Sequence, residues 1–348
     1  MRSLRRASPQ EIIRTMRTIF VALLVCLTAS LLYPAETPAT ALLVLSKGAH
    51  ALFIVDPATL KVVGRVPSGP DPHEVAASGD GKLAYISNYG GGAFHTITVV
   101  DLVRQRNLPI IELGPLTGPH GLQFAGGKLW FTAEGAKVIG SYDPSANKVD
   151  WVLGTGQNRT HMIFVAADLQ HIITSNVSSG SMTLIEKSTA RRGPGPPRAD
   201  WDETMIPVGN GAEGFDVSPD GRQIWAANAQ DGTISIIDAA AKKVVRTLDA
   251  NVRGANRLKF TPDGKLVFVS TLGGPELAIF DAASGQSVKR VNIGRGAAGI
   301  LMQPDGARAF VACTPDDYVT IINLKTLEVA GHIEAGKQPD GLAWAVRR

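Results

Sequence analysis

Cysteine is scarce in this chain, and that scarcity sets the first limits. Of 348 residues only Cys26 and Cys313 carry a thiol. Cys26 falls in the apolar run near the N-terminus, so the rest of the chain can form no internal disulfide and must rely on its core. There is no CxxCH pair, which excludes a covalently attached haem. There is no GxSxG elbow and no visible serine-hydrolase arrangement. HxH and HExxH clusters are missing as well, so any metal site has to be assembled by the fold. The stretches GGGAFH (90–95) and GGPE (273–276) are turns, because no helix follows a Gly-rich strand end.

Long hydrophobic runs are equally rare. The one present, IFVALLVCLTASLL (19–32), is short for a membrane span and follows Arg2, Arg5, Arg6, Arg14 and Arg17. With YPAETPATA after it, the pattern reads as a secretory signal over residues 1–35, with Met16 as an alternative start and an uncleaved anchor as the alternative fate. A periplasmic or secreted protein is therefore expected. Removal of that segment takes Lys plus Arg from 35 to 30 and Asp plus Glu from 31 to 30. The formal charge of +4 falls to zero, which argues against a nucleic-acid partner. No membrane span is expected after cleavage, and the chain is expected to act as a monomer.

What is abundant is repetition. VAASGDGKLAYISN (75–88), FDVSPDGRQIWAAN (215–228), LKFTPDGKLVFVST (258–271) and ILMQPDGARAFVAC (300–313) align without gaps. LQFAGGKLWFTAE (122–134) joins them with one turn residue missing, and IFVAADLQHIITSN (163–176) has Leu169 in place of the turn Gly. A period near 42 residues, with four short strands per unit, predicts propeller blades. The first unit, 41–66, supplies only three strands, and PDGLAWAVRR (339–348) begins like every other first strand and stops. The expected fold is thus all-β: a seven-bladed β-propeller over 36–348, with four antiparallel strands per blade. Its first blade combines 41–66 with 340–348, so that the ring closes without a free edge.

The unit SPDGRQIWAANAQDGTISIIDAAAKKVVRTL (218–248) resembles the YVTN-type repeat of seven-bladed propellers in secreted and periplasmic bacterial and archaeal proteins. The resemblance extends over 41–348 and implies the fold, while the same repeat serves enzymes, cofactor-bearing domains and binding scaffolds. The phrase GPHGLQFAGGKLWFTAEG (118–135), with IGSYDPSANKV after it, is similar to repeats of streptogramin B lyases, which are seven-bladed, metal-dependent enzymes.

In such a ring, equivalent positions face a common channel. The start of each inner strand gives His73, His120, His161, Glu213, Asn256, Ala298 and Asp340, counting from the turn. The end of each second strand gives Ser46, Asn88, Glu134, Asn176, Asn228, Thr271 and Cys313. Three His on consecutive blades with Glu213 on the fourth could converge on one ion, so His73, His120, His161 and Glu213 are the candidate metal ligands. Imidazoles with a carboxylate suit Zn, Cu or Fe, and oxygens alone suit Mg or Ca. Asn256 and Asp340 complete the candidate ligand-binding ring. Glu134, a charge where sister blades place Asn or a small polar residue, pairs with His120 as candidate catalytic groups, one acid and one base. The opposing view is that polar residues here only cap backbone groups or hold channel water. Asn88, Asn176 and Asn228 are expected to satisfy turn backbone, and Cys313 to be a buried thiol.

Three functions stay open on these residues. The first is an exported propeller that binds a small molecule, metal ion or protein partner at the His-ringed channel mouth. The second is a metal-dependent lyase or lactonase-like enzyme using the same ring, with a divalent ion as cofactor. The third is a protein-interaction scaffold using STARRGPGPPRADWD (188–202), read as an exposed flexible insertion with Arg191, Arg192 and Arg198.

Overall fold

The turn that recurs through the sequence shows why each unit folds as it does. In Ser218–Pro219–Asp220–Gly221, the Ser218 hydroxyl donates to Asp220 Oδ1 at 2.6 Å, and the Arg222 amide donates to the same oxygen at 3.1 Å. Gly221 takes a left-handed φ of 74°, which a side chain would resist. Blade 4 holds Leu169 at that position with φ 56°. Two strands of about six residues flank each such turn, with their apolar residues buried and their ends polar.

In the computed structural model of the chain, residues 36–190 and 196–348 are described. The segment read above as a signal lies outside the described residues, and so do Arg191 and Arg192. The strands form seven antiparallel sheets, six of four strands and one whose outermost strand is in two short pieces. Their inner strands are Pro339–Val346, Pro72–Ala77, Pro119–Ala125, Thr160–Val165, Ala212–Val217, Ala255–Phe260 and Ala297–Met302, here blades 1 to 7. Each inner strand contacts the next, and the seventh contacts the first, which closes a seven-bladed β-propeller. Pro339–Val346 pairs with Thr40–Ser46, so the chain's last strand is the inner strand of its first blade.

The core lies between blades. One cluster joins Trp225 and Ile236 of blade 5 to Leu258, Phe260 and Val267 of blade 6, and another joins Leu43 and Ile54 of blade 1 to Val75 and Ile86 of blade 2. Each fully buried Leu, Ile or Val of this kind contributes about 1.5–3 kcal/mol. Inner strands approach so closely that a Cβ on Gly121 would come within 2.6 Å of the His161 carbonyl oxygen of the neighbouring blade.

Within 188–202, residues 191–195 lie outside the described residues, and the residues on either side are strand where a loop was expected. The third and fourth strands of blade 4 extend to Ser181–Ala190 and Arg198–Pro207, in register from Ser181↔Pro207 to Ala190↔Arg198. The described extra residues continue the hairpin, because alternating side chains such as Trp201, packed at a tilt against Trp151 with ring centres 5.4 Å apart, give the extension a face to bury. Among the described residues no helix is long and apolar enough to cross a membrane.

Candidate functional site

Every inner strand carries a β-bulge at the same place. Between Pro119 and Leu122 two residues, His120 and Gly121, oppose the single Thr132 on the second strand. The same two-against-one count recurs at His73–Glu74, His161–Met162, Glu213–Gly214, Asn256–Arg257, Ala298–Gly299 and Asp340–Gly341. A bulge re-aims side chains and leaves one amide out of the ladder. In four blades a hydroxyl on the opposing residue takes up that amide: Ser87 accepts from Glu74, Thr132 from Gly121, Ser175 from Met162 and Ser270 from Arg257. Three of these hydroxyls then donate across to the next blade, Thr132 to the His161 carbonyl at 2.7 Å, Ser175 to that of Glu213 and Ser270 to that of Ala298. The hydroxyls thereby fix the backbone that presents the ring residues.

The register also moves Glu134. Pro72 pairs with Asn88, Thr160 with Asn176 and Ala212 with Asn228, whereas Pro119 pairs with Ala133. Glu134 is therefore not the counterpart of the Asn residues; the shortened turn of blade 3 displaced the count by one. Its true counterparts, one residue beyond each second strand, include Lys47, Tyr89, Leu272 and Thr314, which all line the channel mouth. The Asn residues instead bridge second and third strands, Asn176 Nδ2 donating to the Ser181 and Thr183 hydroxyls.

His120, His161 and Glu134 come together, each offering one ligand atom within 4.8 Å of the others, and all three are buried. Glu134 Oε1 meets His161 Nδ1, and its other oxygen accepts from the Tyr89 hydroxyl at 2.6 Å. His161 Nε2 lies 3.1 Å from Glu213 Oε1 but off the line of a hydrogen bond, so that contact is electrostatic. The His120 and His161 rings lie 3.8 Å apart, and His120 Nδ1 has no partner either. His73 stands beside this group, 5.1 Å from His120 ring to ring, with its Nε2 turned to Lys47 Nζ at 2.8 Å. It is not drawn into the cluster. Lys47 also pairs with Asp340 at 3.0 Å, and Asn256 Oδ1 accepts from Arg257 Nη1 at 3.2 Å.

The charges follow from these contacts. Burial, reinforced by neighbouring cations, holds His120 well below the usual imidazole value, so it is neutral. Burial opposes charge on His161 too, but Glu134 and Glu213 outweigh it and raise its pKa. For both acids burial works the other way and loses to His161: Glu134 is lowered, and Glu213 falls to about 2. His73 is lowered chiefly by burial. Burial and then Glu134 raise Tyr89.

Two groups here had no signature in the spacing of the sequence. Arg159, whose Nε is 3.5 Å from Glu134 and whose Nη2 is 3.8 Å from Glu213, has a left-handed φ of 54°. Gly118, Gly211, Gly254 and Gly296 hold the equivalent place in other blades, so an Arg where glycine is usual was the available signal. Arg257 of blade 6 reaches Glu74 of blade 2 as a buried ion pair. Burial opposes its charge, but Glu74 and Asp340 raise its pKa.

Above these groups opens a cavity of about 360 Å³, polar along blades 1 to 5 and lined on blades 6 and 7 by Leu272, Gly296, Ala298 and Pro315 together with Asn256, Arg257 and Thr314. A cleft of about 440 Å³ lies between blades 4 and 5 at the opposite end. It is mostly apolar, and its charged residues, such as Glu186 with Lys242, are paired.

No family model matches the chain, and no curated protein matches it in sequence. Similarity emerges in structure. A Bacteroides fragilis protein with a provisional 6-phosphogluconolactonase assignment superposes with a TM-score of 0.70 at 15% identity, covering 90% of this chain and 99% of its own. A functionally unknown protein from Desulfotomaculum acetoxidans gives 0.68 at 15%, covering 87% and 98%. Hydrazine synthase from Kuenenia stuttgartiensis gives 0.65 at 19%, covering 80% and 90%. At these identities the likeness is one of fold, and the chain is a seven-bladed β-propeller.

Proposed function

We propose that this is an exported YVTN-type propeller that binds a small molecule at its channel mouth through a divalent transition-metal ion held by His120, His161 and Glu134. The observation that carries the reading is the close, buried cluster of His120, His161 and Glu134, whose ligand atoms lie within 4.8 Å of one another and in which His120 Nδ1 has no hydrogen-bond partner. A buried polar atom without a partner costs about 1–3 kcal/mol, and a bound ion would supply the partner that the His120 ring lacks. Two nitrogens and one oxygen are a donor set that would suit zinc or iron, and His120 and His161 also line the cavity. A bound ion there would act as a Lewis acid toward a ligand oxygen. Tyr89 and Arg159 orient Glu134, and Glu213 lies at the far nitrogen of His161.

The test is zinc content after equilibrium dialysis of the full chain. One equivalent is expected for the native protein, and less than about a tenth of that for His120→Ala, His161→Ala and Glu134→Gln. Equal zinc in all four, or none in the native protein, overturns the reading and leaves His161 as a purely structural imidazolium.

A second reading, a metal-dependent enzyme acting on a lactone, is supported by the neutral His73 beside Lys47 at the edge of the cluster and by the lactonase assignment of one structural neighbour. Its test is turnover of simple lactones that disappears with chelator and with His73→Ala.

A further inference from the structure

The ring of bulge residues at the cavity is polar almost all the way round. At the bulge position six blades place Asp340, His73, His120, His161, Glu213 and Asn256, and only blade 7 places an apolar residue, Ala298. Just beyond the second strand, blades 1 to 3 place Lys47, Tyr89 and Glu134 and blade 7 places Thr314, whereas blades 4 to 6 place Val177, Ala229 and Leu272, of which Leu272 lines the cavity. Gly296 and Pro315 fill the gap between Leu272 and Ala298. The apolar lining thus gathers on blades 6 and 7, where Asn256, Arg257 and Thr314 border it, and it stands three blades from blade 3 in either direction round the ring, opposite the His120–His161–Glu134 cluster. Leu272 is 53% exposed at this wall. A leucine left in water inside an otherwise charged mouth is covered only when a ligand brings apolar surface to it.

The floor adds a second constraint. Arg257 and Glu74 meet below the cavity and neutralise each other, and Lys47 is paired with Asp340. Among the described residues no cation on this floor is left to hold a second anionic end of a ligand, such as a terminal phosphate, and the other cation of the lining, Arg159, stands on the cluster side beside Glu134 and Glu213. A cavity of about 360 Å³ is at the small end of the range for ligand sites.

We propose that the ligand of this site is a small amphiphile, with an oxygen-donor head at the His120–His161–Glu134 wall and a short uncharged tail against Leu272, Ala298 and Pro315. The inference rests on the metal reading above and deepens it by naming the ligand class. The charged wall excludes an all-apolar ligand, and the Leu272 wall disfavours one that is ionic at both ends.

A homologous series of straight-chain hydroxamates, from acetohydroxamate to octanohydroxamate, separates the two claims, because the head binds metal and the tail grows by one methylene at a time. Binding to the zinc-loaded full chain is followed by calorimetry, with zinc content measured on the same samples. Affinity is expected to rise by about fourfold per methylene over the first few carbons and then level off as the tail outgrows the cavity. In Leu272→Asn and in Pro315→Ser the slope should flatten to about twofold or less, while acetohydroxamate still binds. If acetohydroxamate binds zinc-loaded protein but affinity is flat along the series, the ligand class is wrong and the metal reading stands. A slope that persists unchanged in both variants also overturns the assignment of the wall. No zinc uptake and no hydroxamate binding would sink both.

Discussion

Arg257 and Glu74 join the inner strands of blades 6 and 2, nearly opposite each other in a ring of seven, so one ion pair spans the channel beneath the candidate site. Their counterparts in the same bulge position are mostly glycine, at Gly121, Gly214, Gly299 and Gly341, where a Cβ would run into the backbone of the neighbouring inner strand. Removing one partner leaves the other buried and uncompensated. Arg257→Ala is expected to lose about 3–5 kcal/mol, measured by urea unfolding. Adding Glu74→Gln should recover part of it. A single-variant loss under about 1 kcal/mol would show that the pair is already well hydrated.

Thr132 is the hydroxyl on which both halves of the metal cluster converge. It accepts from the Gly121 amide beside His120 and donates to the His161 carbonyl. Thr132→Val keeps the shape and strands both partners, so a loss of about 2 kcal/mol is expected, together with weaker zinc binding. Thr132→Ser should restore both, and zinc titration alongside thermal unfolding tests the coupling.

Arg159 holds a backbone conformation that glycine adopts more easily. Arg159→Gly and Arg159→Ala both remove the contacts to Glu134 and Glu213, but only Ala keeps the left-handed strain. The Gly variant should therefore be the more stable by about 1 kcal/mol, with equal loss of ligand affinity. Equal stability of the two would mean that the strain is relieved elsewhere.

The turn aspartates predict sensitivity to acid. Hydrogen bonds from the Ser78, Ser218 and Thr261 hydroxyls lower the pKa of Asp80, Asp220 and Asp263. A carboxyl with a lowered native pKa is protonated first in the unfolded chain. The stability it supplies is complete above the usual Asp range and is lost as pH falls from about 4 through the lower native values. The urea midpoint should drop between pH 5 and pH 3, and Ser218→Ala should shrink that drop while lowering the midpoint at pH 6.

Much of this fold was legible because a turn such as SPDG dictates its own geometry and recurs at a fixed period. The ring of His73, His120, His161, Glu213, Asn256 and Asp340 could be read by counting from that turn, since the bulge falls at the same register in every blade. Counting failed where the turn was short: Glu134 was matched to Asn88 although Ala133 is its counterpart. It also stopped one residue early in the other blades, which hid Lys47 and Tyr89. Arg257 and Glu74 could not be found by any spacing, because the pair joins blades far apart along the chain. Which two His form the cluster was likewise decided by side-chain direction, with His73 turned to Lys47 instead.

The closing strand gives the site an order of assembly. Asp340 sits on Pro339–Val346, pairs with Lys47 from the first blade, and so joins the two ends of the folded unit at the rim of the pocket. During synthesis six blades can emerge in full before the strand that completes the first one exists. An unfinished chain therefore carries His120, His161 and Glu134 yet has an open seam where Lys47 waits for its partner. The finished pocket is a property of the completed ring, acquired in the last step of its making.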